Sequence, residues 1–313
     1  MLLPPTTPYA HHPVLLRRDA VDAGIADQVL HRMVRSGVMR RLRQGVYVDA
    51  DAWSTASAVD RHLLLCHGVR RLYDDGVALS HSSAALTWGA PSFGLSPEDV
   101  HLTHLDGVAG RRQARVTHHR GICLVDDVTR DELGWITSPA RTLVDSAKTL
   151  AMEAAIVMAD WMLHAGLTTK AELWAALDRQ EESPYTLRIR SVIAGSEPLT
   201  ESVGESRTRY RIRQAGLPRP VPQFVITDDH GRFVARVDFA WPGLGVVLEF
   251  DGLVKYGELV PRGATMLDVV RAEKRRDRDL AALGWIVIRI EWSDLAHPAA
   301  FLDRLARVLS RAA

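Results

Sequence analysis

The chain has 313 residues, 47% hydrophobic and 25% charged, with 39 Lys and Arg against 38 Asp and Glu for a formal net charge of +1. That composition belongs to an ordinary globular protein with room for two or more domains, and it excludes collagen-like, low-complexity and charge-dominated disordered chains. The two cysteines, Cys66 and Cys123, are too few for a disulfide framework, so a reducing, cytoplasmic setting is expected.

No run of about 18 uncharged apolar residues occurs, and the N-terminal stretch lacks a basic region followed by a long apolar one, so neither a membrane span nor a secretory signal is expected. Neither G-x-x-x-x-G-K-[ST] nor a strand-borne G-x-G-x-x-G is present, which argues against a nucleotide cofactor.

Near-neutrality hides a local imbalance. From Gln28 to Val48 there are five arginines, Arg32, Arg35, Arg40, Arg41 and Arg43, and no acid. Around them the pattern predicts a short amphipathic helix ending at Gly24. A second helix is predicted from about Asp27 to Ser36 with Val29, Leu30, Met33 and Val34 on its apolar side, then a hairpin over Val38–Val48 turning at Gln44-Gly45. Two helices and a hairpin make a winged helix-turn-helix. The second helix suits the major groove of double-stranded DNA and the wing suits phosphates or the minor groove, with His31, Arg32 and Arg35 as candidates for base edges. Arg18-Asp19, Gly24 and Arg43-Gln44-Gly45-Val46-Tyr47 resemble the "R-D-x-x-x-x-G" and "R-x-G-V-Y" phrases of the AbiEi family, antitoxins of type IV toxin-antitoxin systems. The resemblance implies sequence-specific DNA binding, autoregulation and a cognate toxin as partner.

The segment 53–196 reads as short strands and helices with little chemistry. A helix is expected to begin near Ser80 to Ser82 and end at Gly89, with "DVHLTHL", "RVTHH" and "ICLV" as strands. Ser138 and Pro139 predict a helix start, and Trp161, Leu163, Leu167, Leu173, Trp174 and Leu177 a helical core. His101, His104, His118 and His119 raise the question of a metal. Neighbours on a strand face opposite sides, so His118 and His119 cannot share one ion, and no nearby cysteine completes a set; hydrogen-bonded or exposed sheet histidines are the expectation. Ser82, Ser83 and Ser146 lack a glycine-flanked elbow, so Ser-His-Asp hydrolysis is not expected. "TSPARTLVD", Thr137 to Asp145, is the most AbiEi-like phrase here, implying the part of that family linked with toxin neutralisation; the residues by themselves fit a helical scaffold equally well.

The segment 197–313 predicts the order αβββαβα, a mixed sheet flanked by helices. The first helix runs from about Glu201 to Ala215, the strands are "PQFVIT", "RFVARVDFAW" and "LGVVLEFDG", and a long helix, a buried strand "WIVIRI" and a final amphipathic helix follow. Glu249 and Asp251 share a strand face, and Asp238 on the adjoining strand can come alongside. Clustered carboxylates persist by sharing a hard cation, Mg2+ or Mn2+, or by pairing with arginines; a shared cation could activate water against a phosphodiester.

These residues resemble the PD-(D/E)XK nuclease superfamily, nearest to a Vsr-like family related to very-short-patch repair endonucleases. Asp238 matches its first acid, Glu249 the second, and "KRRDRDLAALGWIVIRI" its later motif, with Asp251 where a lysine is common. The resemblance makes Asp238, Glu249, Lys255 and Glu205 the candidate catalytic residues and Asp238, Glu249 and Asp251 the metal ligands. Lys274, Arg275 and Arg278 join the candidate DNA contacts.

The sequence therefore predicts a multidomain mixed α/β protein: a winged helix-turn-helix over 1–52, an AbiEi-like α+β segment over 53–196, and a nuclease-like domain over 197–313. Two functions compete, a DNA-binding regulator of antitoxin type and a Mg2+- or Mn2+-dependent DNA endonuclease targeted by its winged helix.

Overall fold

The structure, a computed structural model, describes residues 14–105, 111–113, 115–121, 123–180, 185–252 and 266–312. It is mixed α/β, with three sheets and two compact units, 1–196 and 197–313. Lys255 lies outside the described residues.

The first unit opens with strand β1 (Leu15–Leu16), helices α1 (Arg17–Asp22) and α2 (Asp27–Arg35), and a hairpin of β2 (Met39–Arg43) and β3 (Val46–Asp49). Gly24, Gly37 and Gly45 have φ of +79°, +77° and +78°, the left-handed region that glycine enters without steric cost. They stop α1, stop α2 and turn the hairpin. The apolar face of α2 is narrower than its sequence suggests: Leu30 is buried and Val34 half-buried, but Val29 is 40% exposed. The small core of Ala20, Leu30 and Tyr47 admits only the row spaced four residues apart.

That core gains its second half from helix α4 (Ala58–Tyr73), which follows the short α3 (Ala50–Thr55). Leu64 of α4 joins Val14, Leu16, Val46, Val48, Trp53 and Ala56, while Leu65, Cys66 and Val69 enter the core of the next sheet. At Gly68 the helix meets the hairpin, and a Cβ there would stand 2.3 Å from Val46 Cγ1.

The next sheet has six strands in the order β6-β7-β5-β4-β9-β8: β4 (Val77–Leu79), β5 (Val100–His104), β6 (Arg111–Gln113), β7 (Val116–His119), β8 (Val128–Asp131) and β9 (Gly134–Thr137). Helix α5 (His81–Thr87) follows β4, and α6 (Pro139–Ala147), α7 (Met152–His164), α8 (Lys170–Asp178) and α9 (Thr186–Gly195) follow β9. Ser138 Oγ accepts from Arg141 N at 3.4 Å and Pro139 opens α6, as its sequence predicts. Over its described residues, Cys123–Val125, the expected strand "ICLV" does not form: Val125–Asp127 is a 3-10 turn, because Asp127 accepts from Leu124 N (3.1 Å) and Arg141 Nη1 (2.8 Å) and draws the chain inward, leaving Val125 88% exposed. Leu163, Leu173 and Leu177 are buried, and Trp161, Leu167 and Trp174 half-buried.

A polar chain runs through this core. His101 N donates to Ser83 Oγ (2.9 Å), which lies 3.0 Å from His62 Nε2, and His62 Nδ1 donates to the carbonyl of Pro97 (2.9 Å). Burial pushes His62 down to about 4 from the ordinary 6.5, a shift that the Pro97 bond and Asp99 oppose and that His101 and Arg115 reinforce; Cys66 Sγ also touches the ring at 3.3 Å. A histidine lowered by folding contributes stability that is complete above pH 6.5 and is lost as pH falls toward 4. We expect stability measured by urea unfolding to drop between pH 7 and pH 5, this one group contributing up to about 3 kcal/mol at full protonation, and His62→Asn to make the drop shallower by that group's share.

The second unit contains α10 (Val203–Gln214), β10 (Val221–Thr227), β11 (Phe233–Trp241), β12 (Val246–Phe250), α11 (Met266–Ala282), β13 (Ile286–Ile290), a short α12 (Trp292–Ala296) and α13 (Pro298–Ala312). Its sheet has the order β10-β11-β12-β13, antiparallel except for the parallel β12–β13 pair. One face packs Phe239, Leu248, Phe250 and Ile290 against Ile212 of α10, Leu295 of α12 and Phe301, Leu305 and Leu309 of α13; the other packs Val237, Ala240 and Val247 against Leu280 of α11. The strand "WIVIRI" is not wholly buried: β13 is an edge, with Ile286 47% exposed. Gly204 lets α10 lie on β12, since a Cβ there would fall 2.0 Å from Phe250 Cε1. Gly204→Ala should destabilise this unit by about 1–3 kcal/mol, measurable as a lowered urea midpoint with an unchanged slope.

Candidate functional site

On α2, His31, Arg32 and Arg35 are all exposed and share one face. Among the described residues no carboxylate pairs with Arg32 or Arg35. Asp27, the one acid of the helix, is engaged elsewhere: Arg17 Nε donates to its Oδ1 at 2.8 Å, and this hydrogen bond holds the Asp27 carboxyl below its ordinary range. Arg32 and Arg35 therefore meet solvent without a paired carboxylate among the described residues.

On the wing, Arg40 and Arg41 are exposed, Arg40 lying 5.2 Å over Trp53 and Arg41 Nε donating to Arg43 O at 3.4 Å. Arg43 is different. The pairing of β2 with β3 slips between Arg41 and Arg43, and Arg43 is half-buried 5.9 Å over Tyr73. The wing thus presents two of its three arginines.

In the second unit Lys274, Arg275 and Arg278 of α11 are exposed, with Arg278 Nε donating to Lys274 O at 3.3 Å. Arg276 turns the other way and ion-pairs with Glu249, which is buried at 9% exposure. Arg289 of β13 reaches Glu249 Oε2 at 3.5 Å and donates to Asp277 Oδ2 at 3.1 Å. Glu249 is thus held between two guanidinium groups.

Asp238 Oδ2 accepts from Phe250 N at 2.8 Å across β11 and β12, and Asp251 N donates to Ile290 O at 2.8 Å. Glu205, the acid of α10, is buried and accepts from Glu201 N (3.1 Å), Ser202 Oγ (2.7 Å) and Gln223 Nε2 (2.8 Å). These bonds cap α10 and tie it to β10.

Among the described residues, the group of three or more possible metal ligands that converges is a histidine cluster, His81, His101 and His119, whose nearest ligand atoms all lie within 4.8 Å of one another. The strand rule separates the sheet histidines as expected: His101 Nδ1 meets His119 Nε2 at 2.8 Å, and His104 Nε2 meets His118 Nδ1 at 2.9 Å. The sequence reading missed His81. Its helix opens on Ser80-His81 directly after β4, and His81 takes a left-handed φ of +51° that brings its ring 3.6 Å from that of His119. Burial lowers all three: His119 to about 4, His81 well below 6.5, and His101 in the same direction. Neutral imidazoles at neutral pH keep one nitrogen lone pair each.

Residues 10–48 match the family described as "Transcriptional regulator, AbiEi antitoxin". Over its length the chain is similar to two proteins of Mycobacterium tuberculosis, uncharacterized protein MT2308 of strain CDC 1551 / Oshkosh and uncharacterized protein Rv2248 of strain H37Rv. Each is 27% identical over 290 residues, spanning 91% of this chain and 97% of the relative. A span of that length takes in both compact units, so the two belong together in these relatives as well.

The pairing around Glu249 has a measurable consequence. Arg276→Ala removes the nearer cation from a buried carboxylate and should cost the second unit about 1–3 kcal/mol in urea unfolding, whereas Arg278→Ala, on the exposed face, should change it by less than about 0.5 kcal/mol.

Proposed function

We propose that this chain is a cytoplasmic DNA-binding regulator of antitoxin type, in which α2 reads double-stranded DNA and the wing holds the backbone. The observation that carries this reading is the solvent-facing, acid-free set His31, Arg32, Arg35, Arg40 and Arg41, on a segment that matches the regulator family over residues 10–48. Helix residues of this kind reach base edges, and arginines along a wing strand neutralise phosphates. Lys274, Arg275 and Arg278 add backbone affinity from the second unit. The antitoxin description supports a toxin as protein partner; among the described residues no helix is long and apolar enough to cross a membrane.

The endonuclease alternative assigns Mg2+ or Mn2+ to Asp238, Glu249 and Asp251, with Lys255 and Glu205 completing the site. Against it stands Glu249, whose two oxygens each face a guanidinium, and Glu205, whose acceptors are taken by a helix cap and Gln223. A hard cation would take such carboxylate oxygens, but it would have to displace Arg276 and Arg289 from Glu249 first. We therefore assign the second unit to binding without cutting.

The test is binding of the full chain to duplex from upstream of its own gene across a salt series. Arg32→Ala/Arg35→Ala should reduce the slope of log affinity against log salt by about 2 and erase preference over scrambled duplex; Arg40→Ala/Arg41→Ala should reduce the slope while keeping the preference. Unchanged binding in both variants would remove the basis of the reading. Nicking of plasmid with Mn2+ that disappears in Glu249→Ala would favour the endonuclease instead.

A further inference from the structure

The histidine cluster of the first unit is absorbed by neither reading. His101 and His119 lie on neighbouring parallel strands, where His119 pairs with Thr103, so the two histidines occupy one sheet face at a diagonal. His81 enters from the first residue of α5. Two hydrogen bonds fix that arrival, Ser80 N donating to His101 O and His101 N donating to Ser83 Oγ, both 2.9 Å. The left-handed φ of His81 is costly for a residue with a side chain, by about 1–3 kcal/mol, and such strain concentrates at functional sites.

We propose that His81, His101 and His119 form a binding site for one divalent transition-metal ion of the zinc class. Three imidazoles suit a borderline ion and discriminate against Mg2+ and Ca2+, which take oxygen ligands. Ser80 Oγ lies 2.9 Å from His81 Nδ1 and leaves Nε2 of that ring as the ligand atom. A partner on the second ring nitrogen is how ligating histidines are oriented.

At a Zn–N distance of about 2.0 Å, nitrogens of a tetrahedral site stand about 3.3 Å apart. The 2.8 Å His101–His119 contact and the 4.8 Å limit of the cluster bracket that spacing. The ion enters by splaying the stacked rings and replaces the contact between His101 and His119. His81 is buried while His101 and His119 are half-buried, so the fourth position faces the wetter side and takes water or an exchangeable ligand. Charge nearby is balanced, with buried Asp145 favouring a cation at His81 and His119 and Lys148 opposing it. Selection therefore rests on the three nitrogens.

The experiment uses the full chain without a polyhistidine tag, stripped with chelator, returned to Zn2+ and analysed for metal, with affinity measured by competition against a chromophoric chelator. Wild type should hold about one zinc per chain. His101→Gln and His119→Gln should each weaken binding by more than about 100-fold, and His104→Asn, on the opposite face, should not change it. Circular dichroism establishes that the variants fold. Where one does not, Co2+ added to wild type decides: visible bands of a four-coordinate nitrogen site support the proposal. An absence of bound zinc, a spectrum of six-coordinate cobalt, or full zinc retention in both glutamine variants would overturn it in favour of a hydrogen-bonded histidine stack. None of these readouts involves DNA, so they stand or fall apart from the regulator reading.

Discussion

The close approach of helix α4 to the hairpin at Gly68 is the constraint on which the first unit rests. A winged helix of this size has little apolar surface: α2 buries one leucine, and β1 contributes two residues to the sheet. Small cores of that kind are marginal alone. Here the deficit is met by a helix that follows the wing in sequence, pressed so near that only a hydrogen atom fits between its backbone and Val46. The same helix turns Leu65, Cys66 and Val69 into the six-stranded sheet and sends Arg70 to Asp131 at 2.6 Å. Helix α4 thereby ties the winged segment to the core of the six-stranded sheet.

Polar contacts repeat this economy. Arg141 is almost fully buried between Asp127 and Asp145, with Arg179 and Lys148 pairing the remaining oxygens. Buried ion pairs add little stability compared with apolar packing, yet removing one partner is severe, so such a network fixes geometry more than it adds free energy. It forces the turn before β8 and seats α6. In the second unit the trio Arg276, Glu249 and Arg289 plays the same part across β12, β13 and α11. Glu249, which reads in sequence as one of the nuclease-like acids, is held in the folded unit between two guanidinium groups.

Elements whose signals are local were legible from the sequence. Gly24, Gly45 and Ser138-Pro139 mark boundaries through backbone preferences that do not depend on distant residues, and the order of the second unit followed from alternating apolar periods. Elements decided by tertiary partners were not. The segment at Cys123–Val125 has strand-like residues, but Asp127 commits it to a turn by accepting from Leu124 N and Arg141 Nη1. Arg43 belongs to the basic run by sequence and to the interior by a slip in pairing. His81 was invisible for another reason: it stands 20 and 38 residues from His101 and His119, in a phrase that spells an ordinary helix start, and only a left-handed backbone turns it toward them.

The dipeptide His118-His119 leaves β7 with an ambiguity that the fold must resolve. A slip of one residue along β5 would still offer a histidine to His101, because His118 would occupy the place of His119, so imidazole contacts alone barely distinguish two registers. Val116 breaks the tie. In the native pairing it is fully buried opposite Val100; slipped, it would face outward and place Thr117 among the core apolar groups, at a cost of about 1.5–3 kcal/mol for the lost burial. One valine at the start of a four-residue strand thus acts as the proofreading element for the assembly of this sheet edge.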